Sequence, residues 1–154
     1  MLTDQLIELP LKPHLIKYIT KSTYMYAGKK LSLRDFVSVY IQDNLGGKRN
    51  ACRPTKNTGM KILHVSPLRD NQFSHRIYCS GRSVQKINDF LEAVMMDEFV
   101  KFVDNLREYA GYRPSKAMWE FIEKYDLDGD LTFAKMKKHY FRKKKLAQSL
   151  DTVN

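Results

Sequence analysis

Between Ser83 and Ala110 apolar side chains return every three or four positions: Val84, Ile87, Leu91, Val94, Met95, Phe99, Phe102, Leu106 and Tyr109. That spacing lines one face of an α-helix. Phe90, Val100 and Val103 broaden the face beyond a narrow seam, which predicts more than one packing partner. Ser83 is suited to cap the start and Gly111 to stop the end, and no Pro or Gly interrupts between them. Such a helix runs roughly 40 Å at 1.5 Å per residue, which predicts a central strut for the remaining elements.

The same pattern divides the rest of the chain. Residues 6–11 read as extended, and Pro10 and Pro13 forbid a helix before Lys12. Pro13 suits the first turn of a helix reaching about Lys21, with Leu15, Tyr18 and Ile19 on its apolar side. Tyr24 to Lys30 reads as a loop. Leu33, Phe36, Val37, Tyr40, Ile41 and Leu45 then predict a helix over 33–45, stopped by Gly46 and Gly47. Residues 46–60 form a basic, Gly- and Asn-rich loop. Strand composition over 60–66 and 72–79, with Pro67 to Asn71 between, predicts a β-hairpin. A lone hairpin is barely stable, so it needs the long helix or a third strand from the N-terminal segment.

Beyond Gly111, Arg113-Pro114-Ser115 opens a helix over 115–125, whose inner side is Ala117, Met118, Phe121, Ile122 and Tyr125, with Trp119 adjoining. Asp126 to Asp130 breaks it. Thr132 can cap a last helix over 132–145, with Phe133, Met136 and Tyr140 inward and Phe141 a further inward candidate. The expected fold is mainly α with a small β-hairpin, a single domain over 1–154. Within it, 1–82 supplies N-terminal helices and the hairpin, 83–110 the central helix, and 111–154 a helix-turn-helix-like pair with a basic tail.

Composition adds little until charge is considered. The 154 residues are 43% hydrophobic, enough for a packed core, and two cysteines do not make a disulfide framework. The opening MLTDQLIELP lacks the basic head and apolar run of a signal peptide, and nothing approaches about eighteen uninterrupted apolar residues. A cytoplasmic protein that does not span a membrane is expected. The net charge of +10 favours polyanions, nucleic acid before an anionic membrane surface. It is also segregated. Residues 46–82 carry eight basic groups against one acidic and 131–154 carry seven against one, whereas 83–130 carry six against eleven.

These blocks place the candidate chemistry. On the last helix Lys135, Lys138, His139 and Arg142 fall within two turns, with Lys143, Lys144 and Lys145 following. A basic helix after a short turn is the outline of a helix-turn-helix reader, able to reach phosphates and base edges. The alternative is a helical hairpin packed on the long helix with a solvated tail. Lys48, Arg49, Arg53 and Lys56 form a second candidate anion contact, and Phe73 and Tyr78 on the hairpin could stack on unpaired bases.

Metal and catalytic motifs are weaker. Asp126, Asp128 and Asp130 fail the calcium-loop pattern, because Gly129 precedes the third acid and Lys137 stands at the closing position. Cys52, His64, His75 and Cys79 could supply zinc ligands, but their spacing is irregular, so no metal or cofactor is expected. A Gly-rich phosphate loop, a G-x-S-x-G elbow and an H-E-x-x-H motif are all missing from the sequence, which predicts a protein that is not an enzyme.

At LPLKPHLIKYI (9–19), FVKFVD (99–104) and MWEFIEKYDLDGDLTFAKMKKHYFRKKK (118–145) the chain resembles small basic proteins of prophages and mobile elements in gut Bacteroidetes, often labelled DNA-binding. The resemblance is most specific from Trp119 to Arg142 and brings no catalytic residues. It implies a prophage or mobile-element setting and DNA as partner. Residues and resemblance together predict a non-catalytic binder of nucleic acid, DNA favoured, with affinity falling roughly a thousandfold or more from low to moderate salt. The alternatives are a phage structural or adaptor protein binding other proteins, homo-oligomers included, and an RNA or single-strand binder.

Overall fold

The computed structural model describes residues 7–26, 29–32, 60–65 and 81–153. The protein is mainly helical. In chain order the elements are β1 (Ile7–Leu11), α1 (Pro13–Lys21), β2 (Thr23–Tyr26), β3 (Lys29–Ser32), β4 (Lys61–Val65), α2 (Gly81–Ala110), α3 (Pro114–Tyr125) and α4 (Phe133–Asp151). The helix expected over 33–45, the loop at 48–56 and the hairpin strand over 72–79 lie outside the described residues. The sequence points to one domain over 1–154; within it the contacts cluster into two compact units, Met1–Leu91 and Glu92–Asn154.

In the first unit β1 pairs antiparallel with β4, from Ile7 opposite Val65 to Leu11 opposite Lys61. The N-terminal segment thus supplies the extra strand that the 60–66 strand needed. A second antiparallel pair joins β2 to β3, with Thr23 opposite Ser32 and Tyr26 opposite Lys29. This corrects the loop expected over Tyr24 to Lys30. The β-branched and aromatic residues of TYMY favour a strand, and a two-residue link containing Gly28 is a hairpin signal.

α1 starts where Pro13 allows it, at its first position, and ends as the Ser22 amide bonds the Tyr18 carbonyl. Leu11, Leu15, Tyr18 and Ile19 are buried, as are Val84, Ile87 and Leu91 of α2. Asn88, fully buried, ties the β1–α1 junction to α2. Its Oδ1 accepts from the Lys12 amide at 3.0 Å, and its Nδ2 donates to the Pro10 carbonyl at 3.1 Å and the Val84 carbonyl at 2.9 Å. Where the chain turns from β1 into α1, one amide side chain thus serves both a backbone donor and a backbone acceptor.

α2 begins two residues before the expected Ser83 cap, a shift within the usual uncertainty of helix ends. Gly111 ends it as expected, at φ +65°, and the Tyr112 amide reaches back to the Leu106 carbonyl at 3.1 Å. In the second unit α3 and α4 both pack on α2 around Phe99. The Phe99 ring meets Phe121 edge-on at 5.2 Å and Tyr140 at 6.4 Å, and Phe121 also meets Phe102 at 5.5 Å. That is the broad face the sequence required to have two partners. Tyr109, counted on the same stripe, is instead 82% exposed, because it lies in the last turn.

Two caps fix the order of α3 and α4. Asp126 takes the left-handed conformation at φ 54° and its amide returns to the Glu123 and Ile122 carbonyls, closing α3. The Thr132 hydroxyl accepts from the Lys135 amide and opens α4. Between them Leu127 and Leu131 are buried, while Asp126, Asp128 and Asp130 face solvent. The acidic run is therefore a turn pinned by two leucines.

Candidate nucleic-acid interface

α4 is oriented by its buried residues. Met136 and Tyr140, one turn apart, are fully buried. The Tyr140 hydroxyl donates to Asp104 Oδ1 at 2.7 Å and accepts from the Arg107 guanidinium at 2.8 Å. Burial and the Asp104 hydrogen bond raise the Tyr140 pKa, with Arg107 opposing. The phenol stays neutral and locks the helix rotation. Contacts advance together along α2 and α4, from Glu92 with Lys135 to Asp104 with Lys144, so the two helices run in the same direction.

This rotation sorts the basic residues into two groups. The Lys135 ammonium lies 3.5 Å from Glu92, and that of Lys143 lies 3.9 Å from Asp97. Lys144 pairs with Asp104 and sits 5.6 Å from the Tyr140 ring centre. The acids of the long helix thus engage three of the seven cations between 131 and 154, leaving Lys137, Lys138, Arg142 and Lys145. Among the described residues those four form no ion pair, and all are exposed. Lys138, Arg142 and Lys145 follow one another at four- and three-residue steps, which sets them in one outward row.

Two expectations are corrected here. His139 is half-buried on the flank facing α2, and its Nε2 is sealed from solvent without a hydrogen-bond partner. Burial holds its pKa below the ordinary value, helped by Lys143 and Arg142 and opposed by Glu92. A neutral, covered imidazole is a poor phosphate ligand. Phe141 is not inward: it is 47% exposed, because one step of about 100° from the buried Tyr140 carries it to the outer side.

Of the remaining site residues, Lys48, Arg49, Arg53 and Lys56 lie outside the described residues. So do Cys52, His75 and Cys79 of the zinc set, and His64 lies on β4. Lys137 was not singled out as a site residue in the sequence. Its signal was available in its place within the basic run 135–145, and the structure leaves it exposed. An open cleft beside α4 is lined by Asp104, Arg107, Glu108, Tyr112, Arg113 and Lys144, a mixture of charges rather than a cationic pocket.

Among the described residues no helix is long and apolar enough to cross a membrane. No protein-family model matches the chain, and neither a curated protein nor a solved structure matches it.

Proposed function

We propose that the protein is a non-catalytic nucleic-acid-binding protein that takes duplex DNA along the outer side of α4, in the prophage or mobile-element setting its sequence resemblance implies. The observation that carries this reading is the partition of cations on α4. Three lysines are met by Glu92, Asp97 and Asp104, and among the described residues the outward row Lys138, Arg142 and Lys145 has no acid partner. A solvated tail would need no such sorting. An exposed helix of 19 residues, roughly 28 Å long at 1.5 Å per residue, is of a size the major groove admits. The α3–α4 connector, residues 126–132, is longer than the usual three or four of a helix-turn-helix, so the docking angle is this protein's own.

The test is fluorescence anisotropy with a labelled duplex across a salt series. Binding that weakens steeply with salt supports the reading; no binding in low salt refutes it. A second reading, a phage structural or adaptor protein, draws on Leu146, Leu150 and Val153, which are 58%, 70% and 83% exposed at helical spacing. Size-exclusion with light scattering separates the two, since a large oligomer indifferent to DNA favours the second.

A further inference from the structure

The outer side of α4 carries a second pattern, whose aromatic members duplex binding does not use. Trp119 of α3, 42% exposed, stacks on Phe133 at the start of α4, with ring centres 4.9 Å apart and planes within 4°. From Phe133 one ridge of the helix continues in four-residue steps through Lys137, Phe141 and Lys145. Its composition alternates ring, cation, ring, cation. Lys137, Phe141 and Lys145 are exposed, and the two lysines form no ion pair among the described residues. The Phe141 ring is braced edge-on against Tyr140 at 5.3 Å, whose hydroxyl Asp104 and Arg107 hold.

A core-facing ridge would not place bare ammonium groups between rings, and a lipid-facing ridge would cluster its rings. Planar apolar groups alternating with unpaired cations complement a chain in which planar bases alternate with phosphates. In a duplex the base faces are hidden in the stack, so only a single strand offers them. We infer that the Trp119–Phe133 stack and Phe141 form a stacking site for unpaired bases, with Lys137 and Lys145 on the intervening phosphates. The helix rise puts the two ring positions roughly 12 Å apart, so they take bases separated along the strand. The inference rests on the nucleic-acid reading of α4 and extends its ligand to single strands.

Trp119 is the single tryptophan of the chain, so emission excited to the red of tyrosine absorption reports on this site alone. The whole protein is titrated with single-stranded oligothymidylate, with a duplex, and with phosphatidylserine vesicles. Stacking predicts that the single strand quenches Trp119 and the duplex binds with little quenching. Phe141→Ala weakens single-strand binding about tenfold, the loss typical of one stacked base, and leaves duplex affinity unchanged. Duplex binding with no quenching by the single strand overturns the inference and leaves the duplex reading standing. A Phe141→Ala protein that binds the single strand as tightly as the parent overturns it too, as does quenching by vesicles alone. Absence of binding to either nucleic acid removes both readings. Phe141 is exposed, and a thermal melt of the variant verifies that the fold is intact.

Discussion

Replacing Lys138 and Arg142 together by alanine separates cations that face a ligand from cations that serve the fold. Among the described residues four groups on α4 have no acid partner: Lys137, Lys138, Arg142 and Lys145. If each neutralises one phosphate, these four alone give duplex affinity a logarithmic salt slope of about −3.6. A rise from about 50 to 200 mM salt then costs roughly 150-fold in affinity. With two of the four removed the slope becomes about −1.8, and the same change in salt costs only about 12-fold. Both side chains are exposed, so the loss is in binding and not in folding. The control is Lys143→Ala with Lys144→Ala, which removes cations already engaged by Asp97 and Asp104. Its slope is expected to stay near that of the parent. Anisotropy of a labelled duplex over a potassium chloride series measures all three proteins. Equal loss of slope in both double variants would refute the sorting of cations by partner. Loss of preference for one duplex sequence over another would also count against it, since phosphate contacts carry no sequence information.

Other substitutions test the packing. Asn88→Ala leaves the Lys12 amide and Pro10 carbonyl without their partner and is expected to destabilise the first unit by about 2–3 kcal/mol, read by urea denaturation; a loss near zero would mean water replaces the amide. Tyr140→Phe removes the hydroxyl between Asp104 and Arg107 and should cost about 1–2 kcal/mol in the same assay, with the helical circular-dichroism signal retained. Phe99→Ala empties the point where α2, α3 and α4 meet and should cost about 3–5 kcal/mol in the same assay.

The last prediction concerns pH. His139 has its pKa lowered in the fold, so below the unfolded value of about 6.5 the unfolded chain binds the extra proton. Its contribution to stability is present above that pH and is lost as pH falls toward the folded pKa. His139→Gln should flatten stability between about pH 6.5 and 5, where most carboxylates are still ionised. An unchanged profile would show that the imidazole titrates freely.

Helices and their ends were legible in the sequence because their causes are local. Pro13, Pro114, Thr132 and Gly111 act within one turn, and the three- and four-residue recurrence in α2, α3 and α4 needs nothing beyond neighbouring residues. The same is true of the two-sided burial of α2, because a stripe that wide cannot be covered by one helix. The pairing of β1 with β4 joins residues fifty or more positions apart, and composition marks a strand without naming its partner. The short β2–β3 pair was locally encoded and still missed, since turn residues and strand residues mix there.

For the candidate site the division is sharper. The sequence located a basic helix, but it could not say which lysines would be spoken for. That depended on Glu92, Asp97 and Asp104 arriving from a helix roughly forty residues earlier in the chain. It also depended on the rotation of α4, set when Tyr140 docked between Asp104 and Arg107. That docking turned His139 inward and Phe141 outward. Periodicity gives each residue's angle relative to its neighbours, and only packing against another element supplies the origin from which those angles are measured.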